Sequence, residues 1–358
     1  MKVAILGSGS GAHITAYAWA AAGHSVYMYN LAQYSEPLEA ISAAGGIYCT
    51  GEIEGFAKIE YAGSDLRHVM EEASLIFVIV PAYGIEEMGN LCAEYIRAGQ
   101  TFVVIQGSCM GALLFKNALG LAISNSRITV AETSTLPFMA RVTGPARVNV
   151  FASMPAGYMV AALPREKSAD VHAILSPVFT GIEKAESILQ TTMQNCNPVI
   201  HPAITTLNAA LIERSNGDFF YFSEGVTPAV ARIMKAIDEE RMEIARLLSL
   251  PIESCVDLGI RQEDITIPDY YLGYSQSSRF DGLISQSTLD YRYYNEDVGT
   301  IMTFWVELAD ALGVPVPAMK SMINLVSIIM GKDYASTAPI TLKKLGLENA
   351  TLEDFMKI

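Results

Sequence analysis

Basic residues are scarce in this 358-residue chain: Lys and Arg number 24 against 38 Asp and Glu, a formal net charge of -14. That balance excludes the electrostatic footprint of a nucleic-acid binder and is repelled by an anionic membrane surface. Between Lys2 and Lys58 there is no Lys or Arg at all. Cysteine is equally thin. Cys49, Cys92, Cys109, Cys196 and Cys255 are odd in number and scattered, with no CxxC, which argues against a disulfide framework and against a zinc site. No apolar run reaches the roughly 18 residues of a membrane helix, and neither repeats nor low-complexity tracts occur. A glycine-rich turn lies too close to Met1 for a cleaved signal sequence, so the expected location is cytoplasmic, with small molecules as partners rather than nucleic acid or membrane.

That turn is the most informative feature present. Val3-Ala-Ile-Leu6 reads as an apolar strand, followed by Gly7-Ser8-Gly9-Ser10-Gly11-Ala12 and a helix over His13 to Ala22 that ends at Gly23. Gly7 suits a tight turn, Gly9 lets the backbone approach a pyrophosphate, and a small residue at Ala12 lets the helix pack on its strand. Amides at the helix start and the macrodipole then favour an anion. A second strand, Ser25 to Tyr29, follows at the βαβ distance. The expected cofactor is NAD or NADP, held by Gly7, Ser8, Gly9, Gly11, Ala12, Asn30, Pro81 and Ala82. Asn30 stands where a ribose-binding carboxylate is usual and does not repel a 2′-phosphate, which tilts the expectation slightly to NADP. The lack of nearby cations keeps NAD open.

The length suits about two domains. Strands are expected near 2–6, 25–29, 75–80, 101–105, 127–132, 146–152 and 158–163. Leu75-Ile-Phe-Val-Ile-Val80 is continuously apolar, as in a strand buried on both faces. Its end at Pro81-Ala82 and the end of the next strand at Gln106 should open onto the cofactor. Past Glu186 the pattern turns helical, with helices over 227–249, 295–312 and 317–330. Thr227-Pro228 starts the first of these, as cap and first-turn proline. Within it, Asp238-Glu-Glu-Arg241 reads as a solvated face. The expected fold class is α/β plus all-α: a Rossmann-type doubly wound sheet over 1–185, then an all-helical domain over 186–358.

Two clusters could carry proton chemistry. Asn195-Cys-Asn-Pro198-Val-Ile-His201-Pro202 sets one histidine between prolines, so that His201 falls at a helix start or kink. Tyr291-Arg292-Tyr-Tyr-Asn-Glu296-Asp297-Val298 puts an acidic pair after a cation and three aromatics. Read locally, His201 is as well a satisfied structural histidine, Glu296 and Asp297 are first-turn acids, and Arg292 is an ion partner of Glu296.

The whole set, in order, resembles the octopine and opine dehydrogenase family, including its N-(1-carboxyethyl)-norvaline dehydrogenase branch. The likeness runs through the glycine turn, Glu132-Thr133-Ser-Thr-Leu-Pro137, Asn197 to Pro202 with Asn208 and Glu213, Tyr221-Phe-Ser-Glu224-Gly225-Val-Thr227-Pro228, Asp238 to Arg241 and Arg292 to Val298. The resemblance implies reductive condensation of a 2-oxo acid with the amino group of an L-amino acid through an imine. It implies His201 as acid/base, Asp297 as its orienting carboxylate and Arg292 as a clamp for a substrate carboxylate. Gln106 and Thr133 would bond the oxo acid, Glu132 would contact the amino acid, and a homodimer is possible. Branches with apolar substrates also keep Glu132, so it does not specify a cationic amino acid.

The runner-up is a 2-oxo acid or ketone reductase of the ketopantoate reductase or glycerol phosphate dehydrogenase type, which uses a lysine early in its helical domain. This chain has none between Lys184 and Lys235. A non-catalytic nucleotide sensor would not need His201, Arg292 and Asp297 together.

Overall fold

The computed structural model describes residues 1–358, which form two compact units, Met1–Thr192 and Met193–Ile358. The division lies inside the Ile188–Gln194 helix, slightly later than the expected junction at 185/186.

The first unit contains twelve strands: β1 (Lys2–Leu6), β2 (Ser25–Tyr29), β3 (Gly46–Gly51), β4 (Gly55–Lys58), β5 (Tyr61–Gly63), β6 (Leu75–Val78), β7 (Thr101–Val104), β8 (Thr129–Thr133), β9 (Phe138–Gly144), β10 (Arg147–Ser153), β11 (Tyr158–Leu163) and β12 (Ile182–Lys184). Eight of them form one sheet in the order β12-β11-β8-β7-β6-β1-β2-β5. Every pair in it is parallel except β8 with β11. The order reverses at β1, which pairs with β2 on one side and β6 on the other. Ligands of such sheets bind at the carboxyl ends flanking that switch point. All four residues of β6 are buried, which is why its sequence is apolar without alternation.

The other four strands make a second sheet, β4-β3-β10-β9, of which the sequence pattern suggested only β10. Strands β3 and β4 are short and glycine-bearing, β3 half-exposed and β4 mostly exposed, so neither an apolar run nor a clean alternation marks them. The Ser10–Ala21 helix packs on β1 and β2 and also on β3, β4, β9 and β10. Covered from both sides, it buries Ala12, His13, Ile14, Thr15, Ala16, Tyr17 and Trp19 and has no polar stripe.

The second unit is helical, with one isolated bridge, Phe220 with Ile284. Its longer helices are Asn197–Leu207, Pro228–Leu247, Thr303–Leu312 and Pro317–Met330. Thr227 caps the second of these, its hydroxyl accepting the Val230 N–H at 3.4 Å.

Two expectations are corrected here. The 238–241 charge run is not a solvated face: Asp238 and Arg241 are 1% and 0% exposed. Their three-residue spacing places both on the face that also buries Val230, Met234, Ile237 and Ile244. There Arg241 Nε bonds Asp238 at 2.7 Å, while its other nitrogens meet the carbonyls of Met193 and Glu253. Only Glu239 is exposed. Glu240 accepts the Ala318 and Met319 amides at 2.6 and 2.9 Å, capping the Pro317–Met330 helix.

The expected continuous helix over 295–312 is also broken. A short turn, Arg292–Asn295, leads into a π-helical turn, Asp297–Met302, before Thr303–Leu312 begins. The Ile301 amide reaches back to the Glu296 carbonyl at 3.0 Å. All six residues of that wider turn, Asp297 included, are buried.

Candidate active site

The glycine turn does in space what its spacing implies. Gly7 has φ +132°, and a Cβ there would stand 2.1 Å from the Ile79 carbonyl oxygen, so no side chain fits. At Gly11 a Cβ would press on Leu136 at 2.9 Å. Gly9 is different: a Cβ would meet nothing within 4 Å, so the backbone at the start of the Ser10–Ala21 helix is open to a ligand. No side chain caps that helix, leaving its first-turn amides for an anion. Ala12 is fully buried. These features fit a pyrophosphate.

Asn30, at the end of β2, donates from Nδ2 to Ser8 Oγ at 2.7 Å and accepts the Leu31 amide at 2.9 Å. It is thus tied to the turn. Pro81 and Ala82 follow β6, with Ala82 opening a short 3-10 turn. His13 adds no positive charge: its Nδ1–H donates to the Gly9 carbonyl at 3.0 Å, and burial pulls its pKa down.

A second cluster in the same unit gathers Gln106, Glu132 and Thr133. The Gln106 amide donates to Thr133 Oγ1 at 3.0 Å, and that hydroxyl donates to the Thr135 carbonyl at 2.8 Å. Gln106 Nε2 is buried without a partner, a donor available to an acceptor that the polypeptide itself does not supply. Glu132 is fully buried, and its oxygens meet Ala112 and Thr191 at 2.8 and 2.6 Å.

In the second unit, His201 and Asp297 come together across 96 residues of sequence, with Nδ1 and Oδ2 2.7 Å apart. Asp297 is 0% exposed; the histidine side chain is 15% exposed. The Asn197–Leu207 helix presents His201 in its second turn, with Pro198 in the first turn and Pro202 just beyond. The π-helical turn presents Asp297. With its Nδ1–H committed to the carboxylate, the imidazole keeps Nε2 for proton exchange. The ring of Tyr293 stacks on it, centroids 3.9 Å apart at 25°. Tyr221 donates to the His201 carbonyl at 3.0 Å.

Arg292 lies 3.3 Å from Glu296, the ion pair that local sequence suggested, with its side chain 40% exposed. No hydrogen bond joins it to Asp297. Burial raises the Glu296 carboxyl above its ordinary range, with Arg292 opposing the shift.

Sequence reasoning noted Tyr291, Tyr293 and Tyr294 only as aromatics, and it missed the stacking role of Tyr293. The adjacent RYYNED letters were the only available signal. It also passed over Asn195, whose Oδ1 accepts the Asn197 amide at 3.0 Å while Nδ2 is buried and unpartnered.

The chain is similar to several known proteins. A family profile described as "NAD/NADP octopine/nopaline dehydrogenase, alpha-helical domain" matches residues 184–330. The chain is 30% identical over 349 residues to an opine dehydrogenase of Arthrobacter sp. (strain 1C), covering 97% of this chain and 96% of that protein. A vitopine synthase of Allorhizobium ampelinum is 27% identical over 320 residues, 84% of this chain and 85% of its own. Among solved structures, octopine dehydrogenase with NADH and L-arginine shares the fold with TM-score 0.79 at 18% identity, covering 100% of this chain and 98% of that one.

Proposed function

The chain belongs to the opine dehydrogenase family, and from that premise we propose how its residues divide the work. It is an NAD(P)-dependent oxidoreductase that joins the amino group of an L-amino acid to a 2-oxo acid through an imine, and runs the reverse oxidation. When bound, the nicotinamide cofactor supplies the hydride.

The observation that carries the reading is the 2.7 Å bond between His201 and Asp297. Asp297 fixes the tautomer and stabilises the imidazolium. Nε2 of His201 gives a proton to the departing hydroxyl of the carbinolamine and takes one back in the reverse direction. Arg292 holds the oxo-acid carboxylate by its planar fork, exchanging Glu296 for substrate. Gln106 and Thr133 bond the same substrate. Residues 1–185 bind cofactor through Gly7, Ser8, Gly9, Gly11, Ala12, Asn30, Pro81 and Ala82, and residues 186–358 carry the acid/base chemistry. Asn30 in place of a carboxylate favours NADP over NAD. The oxo acid is pyruvate-like, the enzyme works in the cytoplasm, and it functions as a homodimer. No helix is long and apolar enough to cross a membrane.

The test is reductant oxidation with pyruvate, with and without a panel of L-amino acids, using NADH and NADPH in turn. Consumption is expected only when an amino acid is present. Equal consumption without one would favour the simple 2-oxo acid reductase, and the absence of a lysine between Lys184 and Lys235 weighs against that outcome.

Arg292→Ala is expected to raise the KM for the oxo acid by about 10- to 100-fold, the loss of a charge-assisted bidentate contact, with a smaller effect on kcat. Initial rates at varied oxo acid and saturating amino acid read this directly. An unchanged KM would remove Arg292 from the substrate.

A further inference from the structure

The loop between β7 and the Gly111–Ala118 helix holds three non-glycine residues in the left-handed region, Gln106, Ser108 and Met110, with φ of 59°, 58° and 54°. Such conformations persist only where the surroundings over-determine them. Here the surroundings are specific. The Gly107 amide donates to the Thr133 carbonyl at 3.0 Å, the Met110 amide to Thr192 Oγ1 at 2.9 Å, and the Ala112 amide to Glu132 Oε2 at 2.8 Å. A Cβ on Gly107 would stand 2.5 Å from Glu132 Cδ, so the carboxyl lies directly beneath the loop.

The protonation of that carboxyl follows from counting hydrogens. Thr191 Oγ1 is 2.6 Å from Glu132 Oε1 and 2.8 Å from the Ile188 carbonyl oxygen. One hydroxyl proton cannot serve two acceptors. If Glu132 is protonated at Oε1, it donates to Thr191, Thr191 donates to Ile188, and every group is satisfied. The groups facing Glu132 are Gly107 from the loop, Ala112 from the following helix, Thr191 and Thr192 from the Ile188–Gln194 helix, Val104 from β7 and Ala161 from β11. None carries a charge, and the loop's one titratable residue, Cys109, is buried.

We propose that Glu132 is a positioning residue, an uncharged carboxylic acid that pins the Gln106–Ala112 loop to Thr191 and Thr192 and thereby sets the Gln106 amide, rather than a ligand of the amino-acid substrate. Burial pushes its pKa up to about 7, so the carboxyl keeps its proton on the acid side of neutrality. The inference rests on the assignment of Gln106 to the oxo acid made above. It also means that this carboxyl does not select a cationic amino acid.

The test compares wild type, Glu132→Gln and Glu132→Ala, with pyruvate varied against L-methionine and against L-arginine, and follows thermal unfolding from pH 4.5 to 8. Gln keeps one carbonyl for Ala112 and offers an N–H to Thr191; Ala offers neither. Glu132→Ala is expected to raise the pyruvate KM about 10-fold or more with the amino-acid KM nearly unchanged, and Glu132→Gln to restore pyruvate KM to within about 3-fold of wild type. Because the folded pKa lies above the unfolded one, the wild-type advantage is fully present below about pH 4.5 and is lost as pH rises through about 7. The Tm of wild type relative to Glu132→Gln should fall over that window and level off above it.

A Glu132→Gln variant whose L-arginine or L-methionine KM rises 10-fold would overturn the proposal, as would a Tm difference that does not move with pH. Should wild type turn over no amino acid, the functional reading fails on its own, and the unfolding experiment still decides the state of Glu132.

Discussion

His201→Ala is expected to lower turnover by about 10²- to 10⁴-fold, the usual contribution of a positioned acid/base, while the cofactor Kd stays within about 2-fold. The cofactor prediction rests on placement: the glycines proposed to hold the cofactor belong to the first unit and His201 to the second. The turnover prediction rests on the bond to Asp297. A fully buried carboxylate accepting Nδ1–H at 2.7 Å holds one tautomer and leaves Nε2 as the sole exchanging nitrogen. Asp297→Asn removes the negative charge that stabilises the imidazolium and can offer N–H where an acceptor is needed, so it should also impair kcat severely. Fluorescence titration of NADPH separates binding from turnover. A His201→Ala enzyme with wild-type kcat would remove the mechanism, and one that has lost cofactor affinity would point to a structural role.

Arg241→Met is expected to cost about 3–5 kcal/mol of stability, the typical result of removing one partner from a buried ion pair. The variant strands Asp238, whose second oxygen accepts the Cys255 amide at 2.7 Å and the Tyr270 hydroxyl at 2.5 Å. It also leaves the Met193 and Glu253 carbonyls without their donor. Differential scanning calorimetry should show Tm lower by roughly 10 °C. Asp238→Leu together with Arg241→Met removes the isolated charge and should recover part of the loss. The recovery is incomplete, because Cys255 N–H and Tyr270 O–H still lack an acceptor. A single variant within about 2 °C of wild type would show that the pair is dispensable.

The first unit's main sheet was legible wherever burial on both faces writes a continuous apolar run. Strands β2 and β11 fall at their expected residues, as does the Pro317–Met330 helix between its first-turn proline and Gly331. Strands β3, β4 and β9 were not legible, since half-exposed short strands rely on a neighbouring helix for their apolar face. Asp238 and Arg241 misled because charge in a sequence says nothing about which carbonyls will be waiting in the fold. The π-helical turn has no signature in a 3.6-residue pattern. His201 and Asp297 stood out only through likeness to a family, because each alone is compatible with a bland structural role. What brings them together is a contact between helices far apart in the chain. Tyr293 illustrates the same limit from the other side: three aromatics within four positions do not say which ring will cover an imidazole.

The Ser10–Ala21 helix, clasped between two sheets, has a final consequence for how this region tolerates change. With Ala12 and Ala16 wholly enclosed, the width of the gap is filled by methyl groups, and the governing quantity at those positions is volume rather than polarity. A serine would fit where a leucine would wedge the layers apart and drag the glycine turn with them. The alanine richness of this segment therefore records a spacing between two surfaces, and only secondarily a preference for helix.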